Sequence, residues 1–191
     1  MYPQLQELIG VLSQFHPVPQ AAQQFLEEHC AAKVVKKGEY LLRPGEICNA
    51  YYFIRQGVVR AFIKQEEKEV TTWISCPNEL ATSIYSMQER TPSVEYIQVI
   101  RDSELIELNT SSLEELFLLV PEVNVLIRKL LTAYYRDAEI RSFIARIPSA
   151  EARCRYYLET FPEKASLVPQ KYIASFLGIR EETLSRIFKK C

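Results

Sequence analysis

The chain has 191 residues, 48% hydrophobic and 25% charged, with a formal net charge of −1, which is typical of a globular protein and by itself predicts no polyanionic partner. No segment is long and apolar enough for a membrane span, so a cytoplasmic protein is expected. The five cysteines form no CxxC pair, which argues against the usual zinc and iron–sulfur spacings, and no metal, cofactor or catalytic residue is predicted.

Two helices followed by a β-rich segment are predicted in the first half of the chain. Apolar residues recur at helical spacing over residues 4–12 and 19–31. From residue 34 the chain changes to short runs rich in Val, Ile, Tyr, Phe and Trp, and turns are predicted at Gly38, Gly45 and Gly57. The turn at Gly57 is expected to separate two strands. Six or more short strands with frequent turns predict an antiparallel roll or barrel.

Helices are predicted for most of the remaining chain. TSSLEELFLL, after Asn109, begins with Thr and Ser caps and an early Glu, as helix starts do. A long helix is predicted from Pro121 to Ile147, and another over SAEARCRYYLETF, which a loop, PEKASLVPQ, follows.

The long helix is apolar on two sides, so it needs its own domain and either another domain or another subunit as partners. A homodimer is expected, because the second stripe would otherwise remain a large exposed patch. The predicted dimer interface is the near-heptad stripe Val123, Leu126, Leu130, Ala133, Asp137, Ile140 and Ile144.

The stretch QKYIASFLGIREETLSRIF, residues 170–188, has the spacing of a helix-turn-helix unit. Such a unit needs a small residue where the second helix crosses the first and a glycine at the turn, and Ala174 and Gly178 are the fifth and ninth residues. The apolar locking positions are Ile173, Leu177, Ile179, Leu184 and Ile187. The alternative is an ordinary helical hairpin packed on the core.

The charge distribution favours a C-terminal end that faces nucleic acid. Residues 141–191 carry ten Lys and Arg against five Asp and Glu, whereas residues 1–140 carry thirteen against nineteen. With its apolar residues turned inward, the second helix leaves an outer stripe able to reach base edges and phosphates. The predicted DNA-binding residues are Lys171, Glu181, Glu182, Thr183, Ser185, Arg186, Lys189 and Lys190.

Two segments, KKGEYLLRPGEICNAYYFIRQGVVRAF (36–62) and VPQKYIASFLGIREETLSRIFKK (168–190), resemble the Crp/Fnr family of bacterial transcription regulators. The resemblance covers nearly the whole chain and implies an α+β fold. A cyclic-nucleotide-binding-like β-roll with N-terminal helices would span residues 1–120, a dimerisation helix 121–147, and a helix-turn-helix domain 148–191. The resemblance implies a homodimeric regulator that binds a near-palindromic operator, RNA polymerase and an unknown small-molecule effector, with no membrane partner.

The resemblance assigns base reading to Glu182 and Arg186, which match the family's Glu and Arg. Glu181 stands where many relatives have a base-reading Arg, so the target sequence is expected to differ. The chain stops within three residues of the recognition helix, and the β-hairpin wing of many relatives is not expected.

The segment CPNELATSIYSMQERTPSVEY corresponds to the family's nucleotide pocket. The resemblance makes Glu79, Arg90, Thr91 and Ser93 the effector candidates. In the family a Gly-Glu pair binds the ribose and an Arg binds the phosphate. Here Asn78 replaces the Gly, Pro92 or Ser93 falls where the Arg is expected in the register of VEYIQV, and Pro92 removes a backbone donor. Because a buried phosphate without a guanidinium partner is unfavourable, no tight cyclic AMP binding is expected.

Two other functional classes are alternatives to a transcription regulator. A cupin-like enzyme needs His and carboxylate ligands on adjacent strands, but the two histidines, His16 and His29, precede the strands. A sensing module whose helix-turn-helix binds protein is the other alternative. Binding that ignores DNA sequence and salt would favour that module.

Overall fold

The computed structural model describes residues 3–188 as a curled antiparallel sheet with helices before, within and after it. The strands are β1 (Ala31–Val35), β2 (Tyr40–Leu42), β3 (Ala50–Gln65), β4 (Lys68–Ser75), β5 (Leu80–Ala81) and β6 (Tyr96–Asn109). The helices are α1 (Pro3–Ser13), α2 (Gln20–His29), α3 (Ile84–Glu89), α4 (Thr110–Leu119), α5 (Val123–Arg146), α6 (Ala150–Thr160), α7 (Pro162–Leu167), α8 (Gln170–Leu177) and α9 (Glu181–Phe188).

The two long strands, β3 and β6, organise the sheet. They pair antiparallel from Ala50–Asn109 at one end to Phe62–Tyr96 at the other. β1 and β2 pair with different parts of β6, and β4 and β5 pair with different parts of β3. The resulting order β1-β6-β3-β4 leaves β4 at an edge of the sheet. The predicted antiparallel roll is confirmed.

The prediction that Gly57 separates two strands is wrong, because β3 is one continuous strand of 16 residues. Gly57 has a φ of +100°, and register shifts on both sides of it mark bulges opposite β6. A Cβ atom at this position would clash with the Ser103 side chain and lie 2.6 Å from the Asp102 carbonyl oxygen. Only glycine fits this bend.

Apolar side chains pack on both sides of the roll wall. The interior is filled by residues that are at most 1% exposed, including Ile54, Val59, Ala61, Ile97, Val99 and Leu105. Outside the wall, α1, α2 and α4 pack with the first half of α5, through residues such as Leu5, Leu26, Leu116 and Leu126. This second core fixes the beginning of α5 against its own roll.

A third core joins the C-terminal helices to the roll. Val58, Ile74 and Ile100 of the roll pack in one cluster with residues of α5, α6, α8 and α9, namely Ile144, Cys154, Tyr157, Ile173, Leu177 and Leu184. The roll and the helix-turn-helix therefore share buried apolar surface, which stabilises their relative placement.

Two local predictions in the helical part need correction. Residues 162–170 were expected to form a loop, but the first six of them form α7, which begins with Pro162. The expected Thr and Ser caps are absent from the start of α4, because Asn109 is its N-cap residue and makes no side-chain cap hydrogen bond.

Candidate nucleic-acid interface and effector pocket

Helices α8 and α9 have helix-turn-helix geometry. α8 ends at Gly178, whose φ of +64° lies in the left-handed region, and the Ile179 amide donates to the Ala174 carbonyl at 3.0 Å. Ala174 is buried, as the small residue beneath a crossing helix must be, and Leu184 of α9 is fully buried in the same core. The predicted helix-turn-helix is confirmed.

The predicted DNA-binding residues differ in their exposure. Those that are exposed are Lys171, Glu181, Glu182 and Arg186, and those that are half-buried are Thr183 and Ser185. Arg186 Nε donates to the Glu182 carbonyl at 3.4 Å, which lays the base of this side chain along the helix surface. Lys189 and Lys190 lie outside the described residues. Because Glu181, Glu182 and Arg186 are exposed, the outward face of α9 is open to a partner.

Sequence reasoning missed Arg180, which directly precedes α9. Its side chain is exposed, and its carbonyl accepts the Thr183 and Leu184 amides at 3.1 Å each, which begins the helix. Together with Lys171, Arg180 places a basic side chain near the N-terminal end of each helix of the unit. Its position just after the Gly178 turn was the available sequence signal.

Glu79 and Asn78 lie in the turn between β4 and β5, where the family pattern places its ribose-binding pair. Glu79 Oε2 accepts hydrogen bonds from the Cys76 amide at 3.0 Å and from Lys164 Nζ at 2.8 Å. Asn78 adopts a φ of +71°, the left-handed conformation that a glycine would adopt more readily. The carboxylate is thus already bound to a lysine of the C-terminal helices.

Of the other three effector candidates, the Arg90 and Ser93 side chains have hydrogen-bond partners and the Thr91 hydroxyl has none among the described residues. Arg90 is the C-cap residue that follows α3, is exposed, and donates from Nη1 to Asn49 Oδ1 at 3.2 Å. Ser93 Oγ donates to the Glu95 carbonyl and accepts from the Glu95 amide, both at 3.0 Å. Thr91 Oγ1 is buried and has no hydrogen-bond partner among the described residues. The Arg90 guanidinium therefore lies on the surface, whereas Ser93 and Thr91 Oγ1 are buried.

Glu95 is a polar residue of the roll that was not predicted as part of a site. Its carboxylate accepts hydrogen bonds from Thr72 Oγ1 at 2.7 Å and from Ser83 Oγ at 3.4 Å. Burial lowers the pKa of Arg141 on α5, and the negative charges of Asp137, Glu79 and Glu95 oppose that shift. A single sequence gives no signal for this cluster, because its members come from β4, from loop positions and from α5.

A groove of about 620 Å³ lies between α1, the turn at residues 78–80 and α5. Its lining includes Phe15, Phe53 and Ala133 together with the polar residues Glu79 and Tyr134. The Leu80 amide donates to Tyr134 Oη at 2.6 Å, and burial raises the pKa of Tyr134 to about 12, so this hydroxyl stays protonated at neutral pH. The groove, unlike the filled roll interior, has room for a small molecule.

The predicted dimer stripe lies largely inside the chain. Four of its seven residues are at most 6% exposed, namely Val123, Leu126, Leu130 and Ile144. The other three are half-buried, namely Ala133, Asp137 and Ile140. On the adjacent stripe, by contrast, Leu131 is 52% and Tyr135 72% exposed, and Ala138 is exposed as well. The exposed apolar side chains of α5, which also include Val125 and Phe143, therefore lie outside the stripe that was assigned to the dimer.

Within residues 3–188 no group of three or more His, Cys, Asp and Glu side chains is placed to hold a metal ion. In the same part of the chain no helix combines the length and the apolar character needed to cross a bilayer.

Residues 32–118 match the family described as cyclic nucleotide-binding domain. The chain is 23% identical over 168 residues to the transcriptional activator protein FnrA of Stutzerimonas stutzeri, which covers 82% of this chain and 68% of FnrA. The fold is similar to that of FixK2 from Bradyrhizobium japonicum, with a TM-score of 0.73 and 17% identity over 84% of this chain and 83% of FixK2. It is also similar to a transcriptional regulator of the crp/fnr family from Eubacterium rectale, with a TM-score of 0.62 and 16% identity over 91% of this chain and 83% of that one.

Proposed function

We propose that the chain is a DNA-binding transcription regulator of the Crp/Fnr type, which binds a near-palindromic operator as a homodimer and controls transcription there without catalysing a reaction. The match to a cyclic nucleotide-binding domain, the similarity to FnrA and the fold shared with FixK2 support a regulator of this type. The proposal also includes the residues that contact DNA, the two-fold symmetry of the dimer, a small-molecule effector and a contact with RNA polymerase.

The observation that carries this proposal is the open outer face of α9, held in place by the buried side of the same helix. Exposed Arg186 donates to guanine edges in the major groove, and exposed Glu182 accepts from the cytosine amino group. Lys171 and Arg180 are exposed near the starts of α8 and α9, where phosphates are bound. The carboxylates of Glu181 and Glu182 repel phosphates and the hydrogen-bond acceptor atoms of guanine. They therefore restrict which bases the helix accepts.

We assign the dimer contact to the exposed stripe of α5, which contains Leu131, Tyr135 and Ala138. These residues follow one another at spacings of four and three, so they lie on one face of the helix. Pairing two copies of this stripe across a two-fold axis covers the large apolar side chains that a monomer leaves in water. The two α9 helices would then enter successive major grooves roughly 34 Å apart.

We infer that the roll binds no cyclic AMP tightly. Its interior is filled by buried apolar side chains, with Met87 of α3 among them at 1% exposure. Arg90 bonds to Asn49 on the surface, and Glu79 is engaged by Lys164. A nucleotide would have to displace hydrocarbon and break both contacts before its phosphate met a guanidinium.

The test of DNA binding is selection of duplexes from a random library, followed by anisotropy titrations on the selected operator at several salt concentrations. Arg186→Ala should lower the affinity by roughly 1–3 kcal/mol and relax the preference at one base pair. Arg43→Ala, which removes an exposed arginine of the roll, is the matched control and should bind like the unchanged protein. Failure to enrich any sequence, with binding insensitive to salt, would favour the protein-binding alternative.

Calorimetry with cyclic AMP tests the effector inference. We expect no saturable binding up to millimolar nucleotide. Binding at micromolar affinity that Arg90→Ala abolishes would show that Arg90 turns inward to hold the phosphate.

A further inference from the structure

The C-terminal helices cover the edge of the sheet that β4 leaves open. An edge strand presents unpaired backbone N–H and C=O groups, which natural proteins protect. On the outer side of β4, the Thr71 amide donates to Ser175 Oγ at 3.0 Å, and Ser175 Oγ donates to the Glu69 carbonyl at 2.8 Å. One serine of α8 thus satisfies both a donor and an acceptor of the strand.

Lys164 of α7 makes a second attachment at the other end of β4. Its ammonium donates to the Ile74 carbonyl and to Glu79 Oε2, both at 2.8 Å. The lysine side chain is 18% exposed, so this ion pair is better shielded from solvent than a surface pair. Glu79, the match to the family's ribose-binding glutamate, is here an anchor for the DNA-binding helices.

Arg60 makes a further contact between the roll and α8, next to the Thr71–Ser175 attachment. It is 3% exposed, forms an ion pair with Glu69, and its guanidinium lies 4.1 Å from the Phe62 ring and 4.3 Å from the Tyr172 ring. Tyr172 belongs to α8, whereas Phe62 belongs to β3. A stacked guanidinium therefore links the roll to the first helix of the helix-turn-helix.

We propose that Lys164 and Ser175 form an edge clasp, which holds the helix-turn-helix rigidly on β4 and so sets the distance between the two reading helices of the dimer. The inference rests on the proposed function, because it concerns a dimer that reads two half-sites. In the clasp the Lys164 ammonium binds the Glu79 carboxylate, at the position where the resemblance places an effector contact. This ion pair couples the roll directly to α7.

The clasped arrangement is the one that binds DNA. The outer face of α9 and Lys171 at the start of α8 remain exposed while Ser175 and Tyr172 face the roll. Docking therefore orients the reading surface without covering it. A rigid pair of reading helices loses less freedom when both half-sites are bound, so releasing the clasp weakens binding to a full operator.

The experiment compares Lys164→Met, which keeps the length of the side chain and removes its charge, with two controls, Ser166→Ala on α7 and Lys37→Met on the roll. Ser166 and Lys37 are exposed, and Ser166 Oγ donates locally to the Glu163 carbonyl. Hydrogen exchange of the Thr71 amide, read by NMR, reports docking at a residue that Lys164 does not contact. Anisotropy titrations then use the full operator and a duplex with a single half-site.

For Lys164→Met we expect faster exchange at Thr71, a roughly tenfold loss of affinity for the full operator, and less than about a twofold loss for the single half-site. Ser175→Ala should give the same ratio of the two losses, while both controls match the unchanged protein. Unchanged Thr71 exchange in Lys164→Met, or equal losses on both duplexes, would overturn the clasp. If the unchanged protein bound no duplex, the proposed function would fail, whereas the exchange result would still report whether the two attachments act together.

Discussion

Leu131→Ala should weaken dimerisation and leave the fold intact, whereas Leu130→Ala, one residue earlier, should destabilise the fold. Leu131 is 52% exposed in the single chain and Leu130 is 6% exposed. Because fully burying a leucine contributes roughly 1.5–3 kcal/mol, covering the open half of Leu131 contributes about 1 kcal/mol per protomer. A two-fold axis repeats the contact, which gives about 2 kcal/mol, or ~30-fold in the dimer dissociation constant.

Leu130 packs in the core between α5 and the N-terminal helices, so its truncation should cost roughly 2–5 kcal/mol of unfolding free energy. Sedimentation velocity over a range of concentrations measures the dimer dissociation constant, and urea unfolding at one fixed protomer concentration measures stability. The face assignment is refuted if Leu131→Ala dimerises like the unchanged protein. It is equally refuted if Leu130→Ala raises the dissociation constant and leaves the unfolding free energy unaltered.

Three further outcomes are expected from single positions. Gly57→Ala should lose roughly 2–4 kcal/mol in urea unfolding, from the positive φ and the clash with β6, whereas Gly10→Ala, in open space on α1, should be neutral or slightly stabilising. Burial raises the pKa of Cys76 from 9.0 to about 11, so alkylation at pH 8, followed by peptide mass spectrometry, should be about 100-fold slower in the folded than in the unfolded chain; equal rates would mean that the third core is open. The hydrogen bond from Arg55 lowers the pKa of Glu7 below 4.5, so the pair stabilises the fold above that pH and the contribution disappears as the pH falls through the lowered value. Glu7→Gln should therefore cost about 0.2–1 kcal/mol at pH 7 and nothing at pH 2, and a difference that persists at pH 2 would contradict this.

The helix-turn-helix could be predicted from the sequence because its determinants are local. Ala174 and Gly178 lie four residues apart, and the buried positions of α9 follow the helical repeat, so a short window contains the whole pattern. The antiparallel roll could also be predicted, since alternating β-branched and aromatic runs with turns between them leave few other folds.

The path of β3 could not be predicted in the same way. A glycine at positive φ is compatible with a hairpin turn and with a bulge, and the local sequence around Gly57 fits both. The choice is made by β6, whose residues near Ser103 approach Gly57 too closely for any side chain. That contact joins residues far apart in the chain.

The exposure of each α5 stripe was likewise decided by tertiary packing. Both stripes are apolar, so hydrophobicity alone indicated that two partners were needed and gave no means of assigning them. The N-terminal helices and the roll cover Leu126 and Leu130, which leaves Leu131 and Tyr135 open.

The sequence by itself determined a β-roll, a long two-sided helix and a helix-turn-helix with a charged outer face, because each depends on the spacing of residues within one segment. Only the tertiary structure decided that the roll interior is filled, that Glu79 is bound by Lys164 and that Ser175 covers the edge of β4. The residues of these last two contacts are 85 or more positions apart. Such pairs are selected by the packing of whole elements, since the same Lys, Glu and Ser on solvated surfaces would give an identical local pattern.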